Sequence, residues 1–209
     1  MELQYFGANC LKITTKEASI VVDDNLAELG QKTITKPPDI TLHTNRNSEL
    51  EEGVHFAINS PGEYELSNVS IVGIPARLHV DEKGVNHSII YKIVANDIRL
   101  VILGHVYPEL NEKQLEEIGM IDILVTPVGG NGFTLDSKGA QKLIKDIDPK
   151  IVIPTNYADK AIKYPVPANE LSSFFKELGV EPKETVAKLK LKNTDLYTEK
   201  PSFVVLERQ

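Results

Sequence analysis

Hydrophobic and polar positions alternate through the first half of the chain and switch to a helical period only later. Residues 2–15, ELQYFGANCLKITT, place Leu3, Tyr5, Cys10 or Leu11, and Ile13 on one face around a break at Gly7, the two-residue period of a strand. SIVVDD (19–24) is a short β-branched run ending in two aspartates. Residues 53–78 carry further strands, with turns signalled by Ser60-Pro61-Gly62 and Ser67-Asn68. Residues 87–104 read as a hairpin turning at Ala95-Asn96-Asp97. NEKQLEEIG (111–119) is the first helix, with Asn111 as N-cap and Gly119 as stop. After the apolar strand IDILVTPV (121–128) comes a helix opened by Asp136 or Ser137, and then the strand KIVIPTNY (150–157). An amphipathic helix over ANELSSFFKELGV (168–180) and strands in AKLKLKN and SFVVLERQ close the chain. A β-only opening followed by interleaved strands and helices predicts layered sheets with helices outside. With no internal repeat and no low-complexity linker, residues 1–209 are expected to form one domain.

Composition narrows the function classes. A formal net charge of -7 argues against a nucleic-acid partner, which calls for a basic face. One cysteine, Cys10, excludes an internal disulfide framework and a multi-cysteine zinc site, and reads as a buried thiol. The alternating, polar N-terminus is unlike a signal segment, and no apolar run approaches the roughly 18 residues of a membrane span. The expectation is a cytoplasmic protein without a membrane partner.

Several phrases together resemble the metallo-β-lactamase superfamily, in its branch of short zinc-dependent hydrolase-like proteins that includes sugar-lactone hydrolases. They are YFGANCLKI, SIVVDDN, PPDITLHT, SPGEYELSNVSIVGI, LNEKQLEEIGMIDILVTPVGGNGFTLD and PKIVIPTNY, in the family's order and over nearly the whole length. Residues 110–157 are the most specific part. The resemblance implies an α/β fold, a four-layer αββα sandwich. It also implies a His-x-His-x-Asp-His signature after a strand, whose imidazoles and carboxylates hold two divalent metals and acidify a bridging water.

Matched position by position, that signature is largely missing. With residues 39–42 as the leading strand, its first two histidines fall on Asn45 and Asn47, its aspartate on Glu49 and its third histidine on Leu50. His105 stands where the bridging aspartate belongs, Asn156 where the last histidine does, and Ala8 where a histidine often follows the first glycine. A shift of two puts His43 at the first position, but no register of LHTNRNSEL gives two histidines and an aspartate. Asparagine is a weak zinc ligand and leucine is none.

The expected site is therefore vestigial, at Asn45, Asn47, Glu49, Leu50, His105 and Asn156, with Asp23, Arg46 and His79 as further pocket residues and no catalytic residue, metal or cofactor. Asp23, at a position that buttresses the metal loop in the family, is expected to accept hydrogens from the loop backbone. His43 reads as a strand-end residue, and His55 and His87 are given no role. The glycines of TPVGGNGFTLD read as a tight strand-to-helix connection rather than a phosphate cradle. The function expected is a noncatalytic binding, regulatory or assembly role, the partner being a polar small molecule, a protein or a second copy of the chain. The alternative is a divergent zinc- or manganese-dependent hydrolase of phosphoester or lactone bonds, using a site rebuilt from His79, His105 and Glu49.

Overall fold

The computed structural model describes residues 1–50, 53, 54, 56–192, 194, 196 and 200–209; His55 lies outside the described residues. The alternation at the N-terminus becomes β1 (Glu2–Gly7) and β2 (Cys10–Thr14), antiparallel, with Leu3, Tyr5, Leu11 and Ile13 all buried. β3 (Ser19–Val22), β4 (Ile40–Leu42) and β5 (Phe56–Ile58) follow, β3 and β5 both running parallel to β4. With β13 (Leu189–Lys190) beside β1, they form a six-stranded sheet ordered β13-β1-β2-β3-β4-β5.

The second sheet grows from an antiparallel meander: β6 (Gly62–Leu66), β7 (Val69–Ala76), β8 (Ser88–Ala95) and β9 (Ile98–Ile102). Parallel strands continue it: β10 (Ile123–Pro127), β11 (Ile151–Thr155), β14 (Ser202–Leu206) and β12 (Glu184–Val186). The order is β12-β14-β11-β10-β9-β8-β7-β6. One cluster of buried side chains, including Leu3, Ile13 and Leu42 from the first sheet and Ile71, Tyr91 and Ile153 from the second, fills the space between them. Burial of this apolar surface between facing sheets is the main driving force for the sandwich.

The helices supply the outer layer of the larger sheet. α1 (Glu112–Ile118) opens on a capping box: Asn111 Oδ1 accepts from Gln114 N, and Gln114 Oε1 accepts from Asn111 N, both at 2.9 Å. α2 (Ser137–Ile147) is capped by Asp136, whose Oδ1 accepts from Gly139 N at 2.7 Å. α3 (Leu171–Leu178) buries Phe174 and Phe175 against Phe203 of β14 in edge-on ring contacts. The apolar faces of all three share one cluster with the outward residues of the eight-stranded sheet, such as Val101, Leu124 and Val152. The outer face of the six-stranded sheet is covered differently. There Cys10 and Val21 pack under Leu26 and Leu29, which lie in the turns after β3, and under Ile162 from the segment after β11. The two-sheet sandwich with few helices is thus present, its second outer layer built from turns among the described residues. Among the described residues no helix is long and apolar enough to cross a membrane.

Candidate functional site

A cleft of about 600 Å³ opens where strands of both sheets reach the same edge. Its wall takes residues from just beyond the ends of β1 (Ala8, Asn9), β3 (Asp23, Asp24), β4 (His43, Thr44), β9 (His105) and β11 (Asn156). The backbone turns sharply at these ends. Ala8, Asp23 and Asn156 have φ of 49°, 50° and 51°, a left-handed conformation costing a non-glycine residue roughly 1–2 kcal/mol. Gly104, at φ 61°, leads into His105 and lies so close to Thr44 that no Cβ would fit. Bent backbone of this kind gathers at functional sites, where the surrounding structure holds it.

Hydrogen bonds between the sheets hold it here. Asn156 N donates to Ala8 O at 2.7 Å, and Thr155 Oγ1 donates to Asn9 Oδ1 at 2.8 Å, joining β11 to the end of β1. Beyond β4, Ile89 N donates to Thr44 O at 2.7 Å and Arg46 N to His87 O at 2.8 Å, which fastens the loop to the start of β8. Gly129 stands against Asn156 O, and Gly130 N donates to Leu135 O, so the glycines after β10 serve close packing and a turn.

Asp23 is half-buried and both its oxygens are taken: Oδ1 accepts from Thr44 N at 2.7 Å and Oδ2 from Thr44 Oγ1 at 2.6 Å. Desolvation raises its pKa, opposed by these two hydrogen bonds and by His43. Oδ2 of Asp24 accepts from Ile34 N, Thr35 N and Thr35 Oγ1, while Oδ1 is buried without a hydrogen-bond partner. Burial and the nearby His79 push His105 down to about 4, so its imidazole is neutral at pH 7. His105 Nδ1 is buried and unpaired, and its ring lies 4.9 Å from that of Phe133, which also lines the cleft.

The structure brings Asn45, Asn47, Glu49, Leu50, His105 and Asn156 to this one cleft, together with Asp23. Asn45 bridges to Ser88, and its Oδ1 accepts from Asn47 N at 3.0 Å. Two residues expected at the pocket are not in its wall. Arg46 is pinned elsewhere, its Nη1 donating to Asn86 O at 3.2 Å. His79 packs beside Tyr107 with Nδ1 3.4 Å from Val106 O. His43 is a strand-end residue as read, yet it also lines the cleft, as do Phe133 and Tyr164. Those two were missed because they come from loops far along the chain, with no local signal to tie them to the signature. His87 pairs through Nδ1 with Asp81 Oδ1 at 2.9 Å, outside the cleft wall.

Comparison with known proteins places this geometry. Residues 2–156 match the family described as the beta-lactamase superfamily domain. A UPF0173 metal-dependent hydrolase from Carboxydothermus hydrogenoformans is 42% identical over 62 residues; the match spans 30% of this chain and 25% of that protein. A structure from Thermotoga maritima, assigned as a Zn-dependent hydrolase of the metallo-beta-lactamase superfamily, superposes with a TM-score of 0.77 at 24% identity over 99% of both chains. A metallo hydrolase from Ignicoccus hospitalis gives a TM-score of 0.64 at 16% identity over 99% of this chain and 94% of its own. At such identities the two structures speak for the fold alone.

The UPF0173 relative corrects the expectation of no cofactor, because its name carries metal dependence and makes a metal part of the chemistry among such relatives. The donor set of this cleft does not fit such a metal. Among the described residues no group of three or more His, Cys, Asp or Glu side chains is placed to hold an ion. Asp23 is committed to Thr44, and His79 lies outside the cleft wall that holds Glu49 and His105.

Proposed function

This chain belongs to the metallo-β-lactamase superfamily, and from that premise we propose that it is a noncatalytic member whose cleft binds a polar small molecule. One observation carries the reading: apart from Glu49 and His105, the positions matched to the family's ligands are amides and an alkyl side chain, Asn45, Asn47, Leu50 and Asn156, and they line one cleft. Amides recognise hydroxyl and amine groups by directional hydrogen bonds, but they lack the donor strength to hold zinc and lower the pKa of its water. The bent strand ends and the bonds between the sheets keep those amides in place without a ligand, so binding costs little ordering of the wall. The protein acts in the cytoplasm in this reading.

The second reading, a divergent metal-dependent hydrolase, draws on the names of the relatives and on Glu49 and His105 sharing the cleft. A turnover assay with phosphodiester and lactone substrates, with and without added zinc or manganese, separates the two. The expected result is no rate above that of a denatured control. Turnover that disappears in His105→Ala and Glu49→Gln would overturn the noncatalytic reading.

A further inference from the structure

Two strands at opposite ends of the sandwich keep an open edge. Among the described residues β6 pairs only with β7, and β13 only with β1. The ladders decide which residues face outward. Ser67 and Asn68, at φ 50° and 57°, make a two-residue hairpin turn closed by Leu66 opposite Val69. Leu66 and Tyr64 therefore spend their backbone groups on β7, and by alternation Glu63 and Glu65 turn theirs to the open edge. On β13, Leu191 exchanges hydrogen bonds with Met1 at 2.9 Å and 3.0 Å, so Lys190 and Lys188 face outward in the same way.

The two edges share one pattern with opposite charge. Glu63 and Glu65 are exposed, while Tyr64 and Leu66 pack on the core between the sheets. Lys188 and Lys190 are exposed, while Leu189 and Leu191 are buried in that same core. The one carboxylate of Glu2 serves both lysines, at 3.6 Å and 3.4 Å, and leaves a positive charge over. Charged side chains on an edge ordinarily keep other strands away. Here each edge repels its own kind and suits the other. Two antiparallel β6 strands set Glu63 against Glu65, and two β13 strands set lysine against lysine. Laid antiparallel, β6 on β13 sets Glu63 against Lys190 and Glu65 against Lys188, with Tyr64 beside Leu189.

The neighbouring strands at each end agree. β5 follows the same end as β6, three residues away along the chain, and its Phe56 is 46% exposed. At the far end β12 and β13 are two residues apart, and a cavity of about 290 Å³ there is lined in part by Val186, Leu189 and Leu191.

We propose that copies of this chain join head to tail, β6 of one adding antiparallel to β13 of the next. The contact uses two different patches, so it does not close as a two-fold dimer but grows into a ring or a filament. Neither strand contributes to the cleft wall, so assembly and ligand binding are separable.

The test is sedimentation velocity of the full chain over a concentration series, at about 50 mM and about 500 mM salt, which screen charges differently. Species larger than a dimer are expected to grow with concentration at low salt and to shrink at high salt. Glu63→Lys with Glu65→Lys, and separately Lys188→Glu with Lys190→Glu, should each weaken association by roughly 10–100-fold, as two cross-strand pairs become repulsive. Mixing the two variants should restore assembly, because the reversed edges match each other, and that rescue also shows both to be folded. Should the lysine variant lower the thermal midpoint by crowding Glu2, Lys190→Gln replaces it, with a smaller loss in the same direction. Deuterium exchange at the amides of Glu63, Glu65 and Lys190 should slow in the assembled form. A chain that stays monomeric at every concentration would overturn the proposal. So would a dimer that both variants retain, or a mixture of variants no larger than its parts.

Discussion

Thr44 fixes the state of Asp23. Its backbone N–H and its hydroxyl occupy both carboxylate oxygens, at 2.7 Å and 2.6 Å, and both bonds favour the charged form against desolvation. Thr44→Val keeps the shape and removes the hydroxyl. The carboxyl pKa of Asp23, already above its ordinary value, should then rise further, as followed by carboxyl carbon NMR; a fall would show that Thr44 does not stabilise the anion. Asp122 presents the opposite sign. It is 1% exposed and held by Arg99 at 3.0 Å and Lys150 at 2.8 Å, which lower its pKa to about 2. A depressed carboxylate stabilises the fold above its unfolded pKa of 3.8 and loses that contribution as pH falls through about 2. With both partners about a third exposed, the contribution is roughly 1–2 kcal/mol after solvent screening. Chemical denaturation should show wild-type stability falling between about pH 4 and pH 2, and Asp122→Asn should be lower at pH 7 and flatter in that window. Neither residue announces its role in the sequence, because their partners lie 21, 23 and 28 positions away.

Elements whose signals are local were legible. Leu3, Tyr5, Leu11 and Ile13 carry the period of a half-buried strand pair, and Asn111 and Asp136 stand where helices need caps. Elements defined by a distant partner were not: β12 exists because Glu184–Val186 lies beside β14, and its residues alternate too briefly to be read alone. The covering of the six-stranded sheet was also hidden, since Leu26, Leu29 and Ile162 sit in irregular segments without a period. The helix starts themselves make a paired prediction. α1 has a complete capping box, whereas the N-cap of α3, Glu170, makes no side-chain hydrogen bond. Asn111→Ala should cost about 1 kcal/mol and Glu170→Ser should add about 0.5–1 kcal/mol, both measured by urea unfolding. Equal effects of one sign would show that the caps do not control these ends.

For the whole molecule, the sandwich was readable from the order of strands and helices and from phrases spread along the chain. The residues matched to the signature share one cleft because they follow strand ends that the sequence marks with apolar runs. The identity of the cleft as an acidic, amide-lined space was not. It depends on Asp24, Glu28, Phe133 and Tyr164 meeting across both sheets, and only tertiary packing brings them together. The cleft residues Asn156, Ala8 and Thr44 also carry the hydrogen bonds that join the two sheets, from Asn156 N to Ala8 O and from Ile89 N to Thr44 O. The edge that opens into the cleft is thus also where the two sheets are riveted. Opening it requires parting the sheets, so these amides can lose their protons to water only when the sandwich itself comes apart. In deuterium exchange they should outlast the amides of α1 and match the global unfolding free energy. Exchange of Asn156 at the rate of a surface loop would mean that the rivet is loose. A ligand lodged against it would then slow exchange on both sheets at once, making the cleft a gauge of the stability of the entire fold.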